Sequence, residues 1–127
     1  MALLMGVALA GGAGSLLRYL LSQSLSRILG GSLWGTLAVN TLGCLAAGLV
    51  AGLLLRHLPV GERLQTAVLA GFFGGFTTFS SLMLEVFHQC RALSWGIVLG
   101  SLVLQNLTGL VSVLCGWKLS SLALLLR

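Results

Sequence analysis

Gly71-Phe72-Phe73-Gly74-Gly75-Phe76-Thr77-Thr78-Phe79-Ser80-Ser81 places three glycines and four hydroxyls inside a run otherwise apolar enough to cross a bilayer. Lipid offers no hydrogen bond to a backbone carbonyl or N–H, so irregular chain at that depth needs protein packing or an ion as partner. The stretch is therefore expected to be non-helical and to free backbone carbonyls. A close-packed helix contact is the competing reading, because Gly71 and Gly75 also form a small-xxx-small pair.

The surrounding composition fixes the setting. The chain has 127 residues, 57% of them hydrophobic, with seven Lys and Arg against two Asp and Glu, and its mean hydropathy is +1.08. That is too little charge to coat a soluble domain, so the expected fold class is all-α and integral to a membrane. A span takes about 20 mostly apolar residues, and four such runs can be read, roughly 3–21, 33–55, 64–87 and 95–117. They form a single membrane domain over 1–127: a four-span helical protein with a broken third helix, embedded in the lipid bilayer. Expected connections are Ser22–Ser32, Arg56–Arg63 with the only proline at Pro59, and Gln89–Ser94.

The net charge of +5 is spread singly near span ends, which is the pattern of interface anchors and gives no reason to expect a nucleic acid partner. Ala8-Leu9-Ala10 resembles a signal-peptidase site, yet no positive residue precedes it and the apolar run continues to Leu21. Cys44, Cys90 and Cys115 share no metal or disulfide spacing and read as small apolar packers. Four spans set Arg56, Arg63, Lys118 and Arg127 on one side and Arg18, Arg27 and Arg91 on the other. So even a count permits insertion in both orientations, and hence an antiparallel dual-topology dimer. Four helices alone leave little room for a hydrated path, which also calls for a second chain. The glycine pairs Gly71/Gly75, Gly48/Gly52 and Gly96/Gly100 are its expected contact faces.

Polar groups inside the spans mark a pathway, because each needs a partner in a low-dielectric setting. Asn40 follows Thr36 by four residues, so an amide and a hydroxyl share one face and can donate to a small anion without burying a countercharge. An interhelical hydrogen bond would use Asn40 equally well. Ser80, Ser81, Asn106, Thr108 and Ser112 extend the neutral set. Arg18 either snorkels to the interface or holds an anion at a vestibule. His57 and His88 stand at span ends and read as interfacial. Glu62 lies in a loop and Glu85 toward the end of the third span, so the other three spans carry no carboxylate or histidine in their apolar cores; a proton-coupled exporter is disfavoured.

Three elements in order then carry a family resemblance. Gly71 to Ser80 is similar to the G-x-x-G-G-x-T-T-F-S signature of the Fluc-type fluoride channels, the CrcB family. Gly11-Gly12-Ala13-Gly14-Ser15-Leu16-Leu17-Arg18-Tyr19 resembles the first-helix element of that family, and Gly35-Thr36-Leu37-Ala38-Val39-Asn40 its second-helix element.

The resemblance implies a fluoride-selective passive channel of the bacterial inner membrane that lowers cytoplasmic fluoride, and not an enzyme. It implies an antiparallel homodimer with a structural sodium ion at its centre, held by the backbone carbonyls of Gly74 and Thr77. On the anion path it implies Asn40 and Phe79, whose positive ring edge suits fluoride, with Thr36, Ser80, Ser81, Leu82, Thr108, Ser112 and Arg18 as further candidates. From the residues alone, Phe79 reads as a core aromatic. Leu82 stands where the family commonly has a second phenylalanine. That departure keeps open a non-conducting accessory subunit paired with a paralogue. A small dual-topology multidrug exporter is the remaining rival, and it requires an acidic residue in the first span that this chain lacks.

Overall fold

A computed structural model describes residues 1–56, 60–89 and 95–125, without the side chains of Arg56, Gln89 and 123–125. Helix α1 is Ala2–Leu29 and α2 is Ser32–Arg56. The third span starts as α3, Glu62–Thr66, continues as a π-helix over Ala67–Phe73 and closes with one turn, α4, Gly74–Phe76. It resumes as α5, Phe79–Gln89, and α6 is Trp95–Leu125. Four helical stretches are thus long and apolar enough to cross a membrane, the third of them interrupted.

Outside these spans, the first connection is shorter than its serine-rich sequence suggests. Helix α1 runs through Ser22–Leu29, with Ser24 Oγ donating back to the Leu20 carbonyl at 3.0 Å. The chain turns only at Gly30, where φ is 77°, a left-handed conformation that costs glycine little. The Gly31 N–H closes the turn on the Ser26 carbonyl at 3.0 Å. The expected Gln89–Ser94 turn, His57, Pro59, Cys90, Arg91 and Arg127 lie outside the described residues, apart from the backbone of Gln89.

Apolar side chains point mostly outward, among them Leu4, Leu9, Leu16, Leu110 and Leu122, as they must in hydrocarbon, where burial in protein gains little. Packing instead relies on close backbone approach. The first and third spans run parallel: Gly75 lies against the Gly11 carbonyl, Gly71 against Val7, and Gly14 against the Phe72 carbonyl, where a Cβ would clash. Helices α2 and α6 are likewise parallel, with Gly48 on Val113 and Gly52 on Ser120. Both glycine pairs therefore pack within the chain, which corrects their expected role as dimer faces. Of the third pair, Gly100 meets no neighbour. A small apolar core of Leu33, Leu82, Val86 and Val98 closes the end of the bundle where α2 begins.

The break itself is narrower than expected. Gly71, Gly74 and Gly75 are helical, Gly74 with φ −63° and ψ −34°. Only Thr77 and Thr78 leave the helix, Thr77 with φ −93° and ψ 147°. The π-helical turns over Ala67–Phe73 just ahead of it widen the backbone ladder from the ordinary i→i+4 spacing.

Candidate functional site at the break in the third span

The chain leaves the helix at Thr77, whose N–H and Oγ1 both donate to the Phe73 carbonyl, at 3.0 and 2.9 Å. The next donor is diverted. In a continuous helix the Thr78 N–H would bond the Gly74 carbonyl; here it donates to Asn40 Oδ1 at 2.9 Å. Asn40 Nδ2 in turn donates to the Thr78 carbonyl at 2.8 Å, so one buried amide satisfies both backbone groups of Thr78. Thr78 then caps α5: its Oγ1 accepts the Ser81 N–H at 3.2 Å. The same hydroxyl donates to Ser81 Oγ at 3.1 Å and shares a contact with Ser80 Oγ at 3.2 Å.

On the other side of the break, Arg18 Nε and Ser15 Oγ donate to the Gly75 carbonyl at 3.3 and 3.4 Å. Residues from the first, second and third motifs thus converge on one irregular segment. Of the two roles open to Arg18, reaching the interface or a vestibule, its contacts show a third as well: it binds the freed backbone.

Two clefts flank the break. The first, of about 280 Å³, is lined by Asn40, Cys44, Thr77, Thr78, Phe79 and Leu82, with Gln105, Asn106, Gly109 and Leu110 from α6. Phe79 is 64% exposed at its rim, whereas Leu82 is only 1% exposed and belongs mainly to the apolar core. The second cleft, of about 410 Å³, is polar: Arg18, Tyr19, Ser22, Gln23, Ser26, Arg27, Ser32, Thr36, Ser81 and Glu85. Thr36 Oγ1 donates to Glu85 Oε1 at 2.9 Å, while Glu85 Oε2 is buried without a partner among the described residues. Thr78 and Ser81, hydrogen-bonded to each other, connect the first cleft to the second.

The fourth-span candidates separate. Thr108 lines an apolar groove with Trp34, Leu37 and Leu42, and its hydroxyl bonds back to the Leu104 and Gln105 carbonyls. Ser112 is half-buried and lines neither cleft. Thr108 sits about 100° around the helix from Gly109, while Ser112 shares the stripe of Gln105 but lies about two turns further along α6, beyond the first cleft; at the level of Asn40 that stripe carries Gln105. Gln105 is a buried amide whose Oε1 has no partner among the described residues. Its i, i+4 spacing to Gly109 was the available signal, and an amide inside an apolar span was another. Ser80 is exposed beside Thr78, and Ser15, Cys44 and Glu85 join the site without having been singled out for it.

Known proteins resemble this chain along most of its length. Residues 5–117 match the family model described as CrcB-like protein, Camphor Resistance (CrcB). The chain is 38% identical over 117 residues, 91% of its length and 94% of the relative's, to the fluoride-specific ion channel FluC of Nitrosococcus oceani. It is 36% identical over 117 residues, 91% and 93% of the two chains, to that of Maridesulfovibrio salexigens. Against that of Magnetococcus marinus it is 43% identical over 94 residues, 73% and 76% of the two.

Proposed function

The chain belongs to the CrcB-like family, and on that premise we propose that it is a fluoride-specific ion channel of the bacterial plasma membrane, passing the anion down its gradient. The observation that carries the reading is the lining of the first cleft, which offers neutral donors and an aromatic edge and contains no carboxylate. A small anion sheds water only where donors replace it. Asn40 Nδ2 has two N–H groups; one holds the Thr78 carbonyl and the second is left for the anion. Phe79 supplies a positive ring edge at the rim. Arg18 and Arg27 gather anions into the second cleft, and the Ser81 and Thr78 hydroxyls hand them toward the first.

A structural sodium ion suits the same break. The Gly74 carbonyl has lost its helical donor to Asn40, Thr77 is extended, and Gly74 is exposed with no atom within 4 Å of an added Cβ. Gly74 and Thr77 would hold the ion through their carbonyl oxygens, the donors such a cation prefers at unwound helices. Bound there, it supplies a fixed positive charge that ties two breaks together. The open faces of Gly74 and Phe79 are where an antiparallel second copy would pack, completing a homodimer. Pairing with a paralogue draws its only support from Leu82, and that residue is a packed core position.

Growth in fluoride tests the reading. A bacterium lacking its own fluoride exit route should regain growth when it makes this chain and not when it makes Asn40→Leu. Failure of the native chain, expressed and inserted, to restore growth contradicts the assignment.

A further inference from the structure

We propose that the apolar groove along the first half of α2 is a seat for one acyl chain of a bilayer phospholipid, reaching from the membrane interface to about the midplane. The proposal stands apart from the channel reading. The groove encloses about 670 Å³ between the end of α1, with Leu25 and Leu29, the first half of α2, and Thr108 of α6. Its lining falls wholly within the membrane-spanning helices, and it shares no residue with the two clefts at the break.

Length, wall chemistry and continuity with the lipid-facing surface select an acyl chain. From Trp34 to Leu42 the groove follows α2 for eight residues, about 12 Å at the helical rise, close to half of a hydrocarbon core of about 30 Å. Trp34 stands two residues after the start of α2 at Ser32 and beside the turn at Gly30, the depth at which tryptophan anchors at a membrane interface. Leu42 lies near the middle of the same helix. The walls offer little to a protein partner. Thr108 spends its hydroxyl on the Leu104 and Gln105 carbonyls of its own helix, and the small residues on which helices pack in lipid are represented by Ala38 alone. Methylenes need no more than dispersion contact with leucine. At the rim, Leu29, Trp34 and Leu42 are 47, 50 and 51% exposed, so the groove opens directly onto the apolar surface that the spans present to the bilayer.

The test uses the full chain in detergent, titrated with phosphatidylcholine brominated along its acyl chains, and reads quenching of tryptophan fluorescence. Trp95→Phe with Trp117→Phe leaves Trp34 as the only one of the three tryptophans. Its quenching should saturate at about one lipid per chain. Ala38→Phe, which fills the groove, should weaken the binding about tenfold, whereas Leu9→Phe, on an exposed part of α1 outside the groove, should leave it unchanged. Mass spectrometry of the intact chain with all its tryptophans gives a second readout: the native chain should retain a phospholipid that Ala38→Phe loses. Quenching that rises without saturation and ignores Ala38→Phe reports ordinary solvating lipid and overturns the seat. Trp34 left unquenched in a dimer shows the groove covered by a second copy and overturns the occupant.

Discussion

Asn40 and Thr78 exchange two hydrogen bonds, Nδ2 to the Thr78 carbonyl at 2.8 Å and the Thr78 N–H to Oδ1 at 2.9 Å. The side-chain amide thereby takes the place of a missing helical neighbour. Asn40→Leu strands both backbone groups at membrane depth. With each buried unpaired group costing about 1–3 kcal/mol, the expected loss is about 2–6 kcal/mol of stability, together with most of the flux. Unfolding in detergent and liposome efflux measure the two. Asn40→Asp keeps the acceptor and loses the donor, so it should retain more stability than flux.

Arg18 holds the Gly75 carbonyl through Nε while also lining the polar cleft. Arg18→Lys keeps the charge but reaches the carbonyl as a flexible point donor instead of a planar one. It should therefore lower stability by about 1 kcal/mol and leave fluoride entry only slightly slower. Arg18→Met should impair both. Equal behaviour of the two variants in efflux would remove the charge from the entry path.

The glycines of the third span should differ in kind. Gly75→Ala drives a Cβ into the Gly11 carbonyl and should disrupt the fold of the single chain. Gly74→Ala meets nothing within the chain, so a defect there reports on a second copy or on the carbonyl cage. Monomer stability in denaturing detergent and dimer content in mild detergent separate them: Gly74→Ala should lower only the second.

Leu82→Phe would place an aromatic ring where the family commonly has its second phenylalanine. The side chain is 1% exposed against Leu33, Val86 and Val98, so the larger ring overpacks at a cost of about 1–3 kcal/mol. Flux should stay level or fall, while Phe79→Ile, at the exposed rim, should lower it more. Higher efflux from Leu82→Phe would show that the core yields and that the position faces the anion.

The amino-acid pattern made the four spans, the location of the break and the need of Asn40 for a polar partner readable, because long apolar runs, a Gly-Gly/Thr-Thr cluster and an amide inside an apolar span each have few physical explanations. The extent of the break was harder. Glycine permits irregular backbone without requiring it, and here Gly74 and Gly75 stay helical while Thr77 and Thr78 leave. Small-xxx-small pairs announce close approach but not the partner, and Gly71 and Gly48 found theirs in the same chain. Helix α6 is apolar nearly all round, so its phase could not be read, and Thr108 was favoured over Gln105 for want of a visible face.

Efflux from liposomes containing only this purified chain tests the central claim most directly, with fluoride and chloride followed in parallel. The account expects fluoride to leave rapidly down its gradient, chloride to stay, and no proton gradient to be needed. Equal efflux of the two anions, or none of either from correctly folded protein, would contradict it.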